Sequence, residues 1–385
     1  MLADSLRLRF YFSVFVASVG LSMYTYFIPV FAQSFGATYF DLGLIGTVGA
    51  LATAITPSLA GHLADRTNRM QVFSLSLLVN AGATFILILC HSVSDIVILR
   101  LIGGVGLGIF WPMGEALASD LAPAHRRVQE MGRYSVAMAI GVLIGPSIGG
   151  FVVQILGYQN LFIISSAVIA VSFLQSMLWV LPAYPKQNGQ PRNFENSARV
   201  LRQLFPTYVM LICYGVVWGL ISSIYPGYAN SIGISVTFIG FLITAFGITR
   251  IFGLATAHWY LKFGEKRVLV IASFMIFSGI VVVAEFASFV AFMSGIMLIG
   301  GGVGVVFPIM SSHVAHQFPD DKRGAAMGSY ETAVNMGETV GPYIAGLLAS
   351  FVSITSSFML MSVFAGLMIV LTLSGGIHIT GSGGG

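Results

Sequence analysis

Five side chains in this sequence stand where ionised or amide groups are costly. Arg100 and Arg250 each interrupt an apolar run, and Glu331, Asn335, Glu338 and Pro342 follow one another at spacings that place them on a single helix face. At the centre of a bilayer an ionised group costs about 2.5 to 3.5 kcal/mol, so each needs a partner or a task. A carboxylate held away from bulk water takes up protons more readily and exchanges them near neutrality, which is the chemistry of proton coupling. Glu338, near the middle of its run, is the first choice for that role and Glu331 the second. The same residues admit a structural reading in which Glu338 neutralises Arg250. Arg100 heads another stripe, with Gly104, Leu107, Trp111 and Glu115, and Glu130 opens a later run beside a loop. Catalytic residues are not assigned, because no Ser or Cys stands beside a credible His and acid.

The elements that must position these groups follow from composition. Of 385 residues only 8% are charged, against about a quarter in soluble globular proteins, while 56% are hydrophobic and mean hydropathy is +0.90. An ordinary soluble enzyme is excluded; the chain reads as an all-α polytopic membrane protein. Six apolar spans run Phe10 to Gln33, Leu42 to Leu63, Met70 to Cys90, Ile96 to Ala118, Met131 to Val153 and Leu161 to Leu181. After a polar stretch, Pro182 to Pro206, six more follow: Thr207 to Tyr228, Val236 to Leu261, Val268 to Phe286, Phe289 to His313, Ala325 to Leu348 and Ile354 to Ser374. The expected organisation is a six-helix bundle over 1–181, a cytoplasmic linker over 182–206, a second bundle over 207–380 and an appended Gly-Ser-Gly-Gly-Gly scar over 381–385.

Cations orient the spans. With the N-terminus inside, Arg66 and Arg69, Arg126, Arg127 and Arg133, Lys186, Arg192, Arg199 and Arg202, Lys262, Lys266 and Arg267, and Lys322 and Arg323 all fall on the cytoplasmic side, while the outer loops carry Asp41 and Asp95. The net charge of +4 is therefore a topology signal, and nucleic acid is not a partner. Arg7 and Arg9 precede a run too long for a cleaved signal. Cys90 and Cys213 form neither a disulfide framework nor a zinc site, and His313 and His316 carry no metal reading. Gly104, Gly106 and Gly108 lie inside an apolar span with no preceding strand, which removes a dinucleotide fingerprint; phosphate loops are absent, so ATP does not drive the protein directly and no cofactor is expected.

A shift that carries Gly104 onto Gly300 superposes the two halves without a gap. Gly106, Pro112, Arg127, Met131, Gly132, Tyr134, Gly141, Gly145, Pro146 and Gly150 fall on Gly302, Pro308, Arg323, Met327, Gly328, Tyr330, Gly337, Gly341, Pro342 and Gly346. Tandem halves joined by a cytoplasmic linker are the parallel-repeat plan of some secondary transporters, with the site near the midplane. Under this shift Arg250, Glu331 and Glu338 face Ala54, Ser135 and Val142. The repeated framework does not require those charges, which separates them as functional.

Three motifs give the chain its resemblance to the major facilitator superfamily, over nearly the whole length. Gly61 to Arg69, GHLADRTNR, resembles that family's G-x-L-A-D-R-x-G-R loop, with Asn68 in place of the second glycine and Met70 and Gln71 where further basic residues are common. Arg100 ahead of Gly103, Gly104 and Gly106 is similar to its R-x-x-x-G element. Gly132, Gly141, Gly145, Pro146, Gly149 and Gly150 match its G-x8-G-x3-G-P-x2-G-G motif in full, which in the family is associated with drug/proton antiporters. The glycines also read as plain helix packing, with Pro146 bending the helix.

The resemblance implies twelve transmembrane helices in two pseudo-symmetric bundles with both termini cytoplasmic, and alternating access. It implies a conformational latch at Gly61, Asp65, Arg66 and Arg69, and a central cavity lined by Tyr24, Tyr26, Trp111, Tyr214 and Trp218 with Arg100, Arg250 and Asn335. Such aromatic walls suit flat or amphipathic substrates, and cations are drawn to ring faces. The function expected is a proton-coupled antiporter exporting small amphipathic or cationic organic compounds, monomeric, in a prokaryotic inner membrane. Two alternatives remain open: a carrier of small organic anions in which Arg100 and Arg250 clamp a carboxylate, and a membrane receptor that binds without transporting.

Overall fold

Every described element is a helix, which is how a chain in lipid satisfies its backbone hydrogen bonds without water. The computed structural model describes residues 2–123, 126–184, 205–318 and 323–374. Residues 185–204 of the expected linker, Asp320 and Asp321, and the expected scar over 381–385 lie outside the described residues.

The first expected span is two helices, α1 (Leu2–Thr25) and α2 (Ile28–Gln33), with Pro29 in the first turn of α2. Then follow α3 (Tyr39–Arg66), α4 (Arg69–Ile86), α5 (Val93–Leu121), α6 (Arg127–Gln175), α7 (Phe205–Ser231), α8 (Val236–Tyr260), α9 (Glu265–Glu285), α10 (Phe289–His316), α11 (Arg323–Phe351) and α12 (Ile354–Leu373). Their starts are written locally. Ser92 caps α5 in a reciprocal box with Asp95, and its repeat counterpart Ser288 caps α10.

Among the described residues ten helical segments are long and apolar enough to cross a membrane. The number differs from the twelve expected spans for two physical reasons. The expected fifth and sixth spans form one 49-residue helical run, α6, broken only at Gly157 with φ 82° and ψ 172°. Gly141, Gly145 and Gly149 meet α1 at Phe15, Val19 and Met23 in ascending order, whereas Ile169 meets Gly20 and Ser172 bonds Ser13. The two arms thus run in opposite directions along α1, and a positive-φ glycine reverses the chain without the expected loop. The second reason is α11: it is long enough to span, but it carries Glu331 and Glu338 and is not among the ten.

The described residues divide into two compact units, one drawn from 1–37, 48–192 and 235–244, the other from 38–47, 193–234 and 245–385. In the first unit α1 packs along α6 and α4 on α5; in the second α7 packs along α11, and α9 on α10 and α12. The α1–α6 and α7–α11 pairs are equivalent under the repeat and use the same device. A Cβ at Gly141 would meet the Phe15 carbonyl at 2.7 Å, and one at Gly341 would meet Cα of Val216 at 2.8 Å, so the helix backbones touch where side chains are missing.

Candidate functional site

The second unit brings together most of the polar residues singled out in the sequence. Trp218 on α7 lies beneath the Arg250 guanidinium of α8, 4.6 Å from ring centroid to Cζ. Tyr214, one turn earlier on α7, lies close enough to Arg250 and to the Glu331 and Glu338 carboxyls of α11 for all three charges to act on its hydroxyl. Asn335 lies between the two acids on α11 and is half-buried, as are Glu338, Trp218 and Arg250; Tyr214 is buried and Glu331 exposed.

Small residues set this geometry. A Cβ at Gly215 would meet the Glu338 amide at 2.9 Å, and one at Gly219 would meet the Glu338 carbonyl at 2.8 Å. The missing side chains on α7 let the α11 backbone settle against it at the level of Glu338. Gly304 on α10 likewise admits the backbone of Arg250, whose Cα a Cβ there would meet at 3.0 Å. Aromatic rings complete the wall: Phe246 tilts against Trp218 at 5.6 Å, and Phe307 lies between Tyr214 at 6.3 Å and Tyr330 at 5.7 Å. Phe246 and Tyr330 were missed as site residues. Tyr330 was legible only as a repeat match, and Phe246 lies one turn before Arg250 on the same helix.

Arg100 and Tyr24 are in the first unit. Arg100 folds against Gly49 of α3, where a Cβ would meet its Cγ at 3.0 Å, and lines a small cavity with Tyr24, Thr84 and Gly103. Trp111 packs edge-on against Phe110 at 4.9 Å, and Tyr26 is buried at the turn between α1 and α2. The antiporter-type glycines divide by environment. Gly141, Gly145 and Gly149 face α1, Gly150 faces the first turn of α8, and Gly132 has open space where a side chain would stand.

At the loop after α3, Gly61 also has open space around it and Arg66 is exposed; the Asp65 side chain lies outside the described residues. Nη1 of Arg69 donates to both carboxylate oxygens of Asp120 at the end of α5, at 2.8 and 3.1 Å, and Tyr184 donates to the same carboxylate at 2.8 Å. Burial, and the Asp120 carboxylate beside it, push the Tyr184 phenol up, with Arg69 opposing. The sequence marked Arg69 but not its partner, which lies 51 residues away.

A second cluster closes the start of α6. Glu130, only 1% exposed, is 3.0 Å from Arg133 and 3.8 Å from Arg7, and accepts a hydrogen bond from Tyr11 at 3.0 Å. In the sequence Glu130 reads only as an acid opening a run beside a loop. Its α1 partner Tyr11 is 119 residues distant and Arg7 lies one turn before it, so neither carries a local signal. Among the described residues no group of three His, Cys, Asp or Glu is placed to hold a metal.

Residues 10–209 and 207–375 each match the family model described as Major Facilitator Superfamily. The Quinolone resistance protein NorA of Staphylococcus aureus is 27% identical over 374 residues, covering 94% of each chain. Among solved structures, a nucleoside transporter, NupG, aligns with TM-score 0.77 at 16% identity over 96% of this chain and 98% of its own. A bacterial homolog to the human lysosomal transporter Spinster, inward-facing and unoccupied, aligns with TM-score 0.75 at 13% identity over 97% of both.

Proposed function

Because this chain belongs to the Major Facilitator Superfamily, and so is a secondary transporter embedded in a lipid bilayer, we propose that it is a proton-coupled antiporter exporting small amphipathic or cationic organic compounds. The observation that carries this reading is the Arg250 guanidinium held over Trp218 at 4.6 Å in the unit where α11 carries Glu331 and Glu338, a half of the molecule whose repeat partner has Ala54, Ser135 and Val142 instead. The relative that confers quinolone resistance supports a flat organic cargo.

In this reading Glu338 is the exchanging acid and Glu331 its auxiliary. Ionised Glu338 draws the amine of a substrate; protonated Glu338 does not, so proton and substrate occupy the cluster in turn and each drives the other out. Arg250 limits the net negative charge of the cluster, where Trp218 and Tyr214 supply ring surface and Asn335 a polar contact; in the first unit Trp111, Tyr24 and Tyr26 supply ring surface and Arg100 a polar contact. Gly61, Asp65, Arg66 and Arg69 form the latch, and Gly132 through Gly150 the antiporter-type helix. Counting α6 as two spans at Gly157 and α11 as one gives twelve, in bundles of 1–181 and 207–380 about a linker of 182–206. The protein is a monomer of a prokaryotic inner membrane.

The test is transport in proteoliposomes under an imposed pH gradient, with a lipophilic cation and a small dicarboxylate offered to wild type and Glu338→Gln. Cation flux that follows the gradient and is lost in the variant supports the reading. Exclusive dicarboxylate flux that survives in Glu338→Gln transfers the function to an organic-anion carrier, the reading that the held guanidinium of Arg250 favours. Absence of any substrate-dependent flux by folded protein leaves a receptor.

A further inference from the structure

One carboxyl inside a membrane-spanning helix takes no part in the second unit's cluster. Glu115 stands less than two turns before the end of α5 and is exposed, and among the described residues it makes no hydrogen bond and no ion pair. Of the charged groups on the helices packed against α5, Arg69 of α4 is held by Asp120, and Arg7 of α1 and Arg133 of α6 by Glu130. Arg9, Arg66 and Arg127 are exposed near helix ends, and the His62 ring of α3 is bonded to the Ser58 carbonyl. The group that Glu115 does act on is the Tyr134 hydroxyl of α6. Tyr134 is 1% exposed and its hydroxyl has no hydrogen-bond partner among the described residues. That hydroxyl sits against the α5 backbone next to Glu115, where a Cβ at Gly114 would meet it at 2.6 Å.

The repeat shows that the fold does not need this arrangement. The counterpart tyrosine, Tyr330, donates to the Phe307 carbonyl at 3.5 Å, and Ser311 stands in the place of Glu115. The first unit instead sets a phenol without an acceptor beside a carboxyl without a donor, in a span where an ionisable group is retained for a task. Brought together by side-chain rotation, the two are satisfied in either charge state: ionised Glu115 accepts from the phenol, and protonated Glu115 donates to its oxygen. We infer that Glu115 is a second proton-carrying carboxyl, with the Tyr134 phenol as its positioning partner. This inference rests on the export reading, in which Glu338 carries the other proton, and adds a stoichiometry to it. Two protons enter per cycle, one on each carboxyl, as one organic cation leaves, so one net positive charge moves inward for each monovalent cation exported. A membrane potential then drives export directly, whereas exchange against a single proton moves no net charge and ignores it.

The test is flux of a monovalent quaternary aromatic cation in proteoliposomes, driven either by a pH gradient at zero potential or by a potassium–valinomycin potential at zero pH gradient, with protein-free vesicles subtracted. Wild type is expected to respond to both. Glu115→Gln is expected to lose the response to potential and keep the response to the pH gradient; Glu115→Ser, which takes the residue of the other half, serves if the glutamine variant fails to fold. Tyr134→Phe should keep both responses and move the pH at which flux is half-maximal. Wild-type flux that follows the pH gradient and ignores the potential overturns the inference and leaves the antiporter reading standing, and so does a potential response that survives in Glu115→Gln. If folded wild type moves no cation under either drive, the export reading falls, and infrared titration of the full chain in nanodiscs decides the site. A carboxylic C=O band that titrates near neutral pH, vanishes in Glu115→Gln and shifts in Tyr134→Phe supports it; bands left unchanged by Glu115→Gln overturn it.

Discussion

The Arg250 guanidinium lies over the Trp218 indole at 4.6 Å, joining α8 to α7 through a cation and a ring. A partly desolvated pair of this kind contributes about 1 to 2 kcal/mol. Trp218→Leu, which removes the ring and keeps an apolar side chain, is expected to weaken binding of a flat organic substrate by about tenfold. Trp218→Phe should lose less, because a ring face remains. Equilibrium dialysis on purified protein checks both, and equal affinity for wild type and Trp218→Leu would remove the ring from the site.

Glu338 and Glu331 share a helix face but differ in exposure, the first half-buried and the second exposed. Glu338→Gln is expected to abolish accumulation driven by a pH gradient while retaining substrate-for-substrate exchange, since exchange needs no proton step. Glu331→Gln should keep gradient-driven flux at a reduced rate. Measuring efflux and counterflow in the same vesicles separates the two roles, and gradient-driven flux by Glu338→Gln would assign the proton elsewhere.

Gly141 and Gly337 are repeat counterparts whose absent side chains let α6 touch α1 and α11 touch α7. Adding one methyl there pushes backbone against backbone, so Gly141→Ala and Gly337→Ala should each cost about 1 to 3 kcal/mol. Gly132→Ala and Gly61→Ala meet no neighbour within 4 Å and should leave melting unchanged. Thermal unfolding followed by size exclusion tests the contrast. Function lost on Gly132→Ala without loss of stability would mean that the motif serves motion rather than packing.

Glu130 is enclosed by Arg7, Arg133 and Tyr11. Glu130→Ala removes the carboxylate beside the nearly buried Arg7 and the acceptor of the Tyr11 phenol, and a cost of about 3 to 5 kcal/mol follows. Pairing it with Arg7→Met is expected to recover a large part of that loss, because the buried charge goes with its partner. A double-mutant cycle on melting temperature measures the coupling; additive losses would show that Arg7 and Glu130 act independently.

Thr47 donates to the Thr339 carbonyl at 2.9 Å, and Thr244 to the Leu143 carbonyl at 3.1 Å. The two acceptors are repeat counterparts, each directly after the carbonyl, of Glu338 or Val142, that Pro342 or Pro146 leaves without its helical donor. Thr47→Val and Thr244→Val keep the shape and lose the bond, so each should lower stability by about 1 kcal/mol. Unchanged melting in both would show that the carbonyls find other donors.

Sequence alone determined what physical chemistry writes along one helix. Apolar runs of span length, the repeat that equates Gly141 with Gly337, and the placement of Glu331, Asn335 and Glu338 on one face are all one-dimensional signals. Tertiary structure decided which faces meet. In lipid the surroundings of a helix are as apolar as its neighbours, so hydrophobic periodicity does not mark the packed side, and the pairing of Arg69 with Asp120, of Glu130 with Arg7, and of Trp218 with Arg250 had no local trace. Gly157 belongs to both: its residue type permitted a reversal, and only the packing of both arms of α6 along α1 required one there.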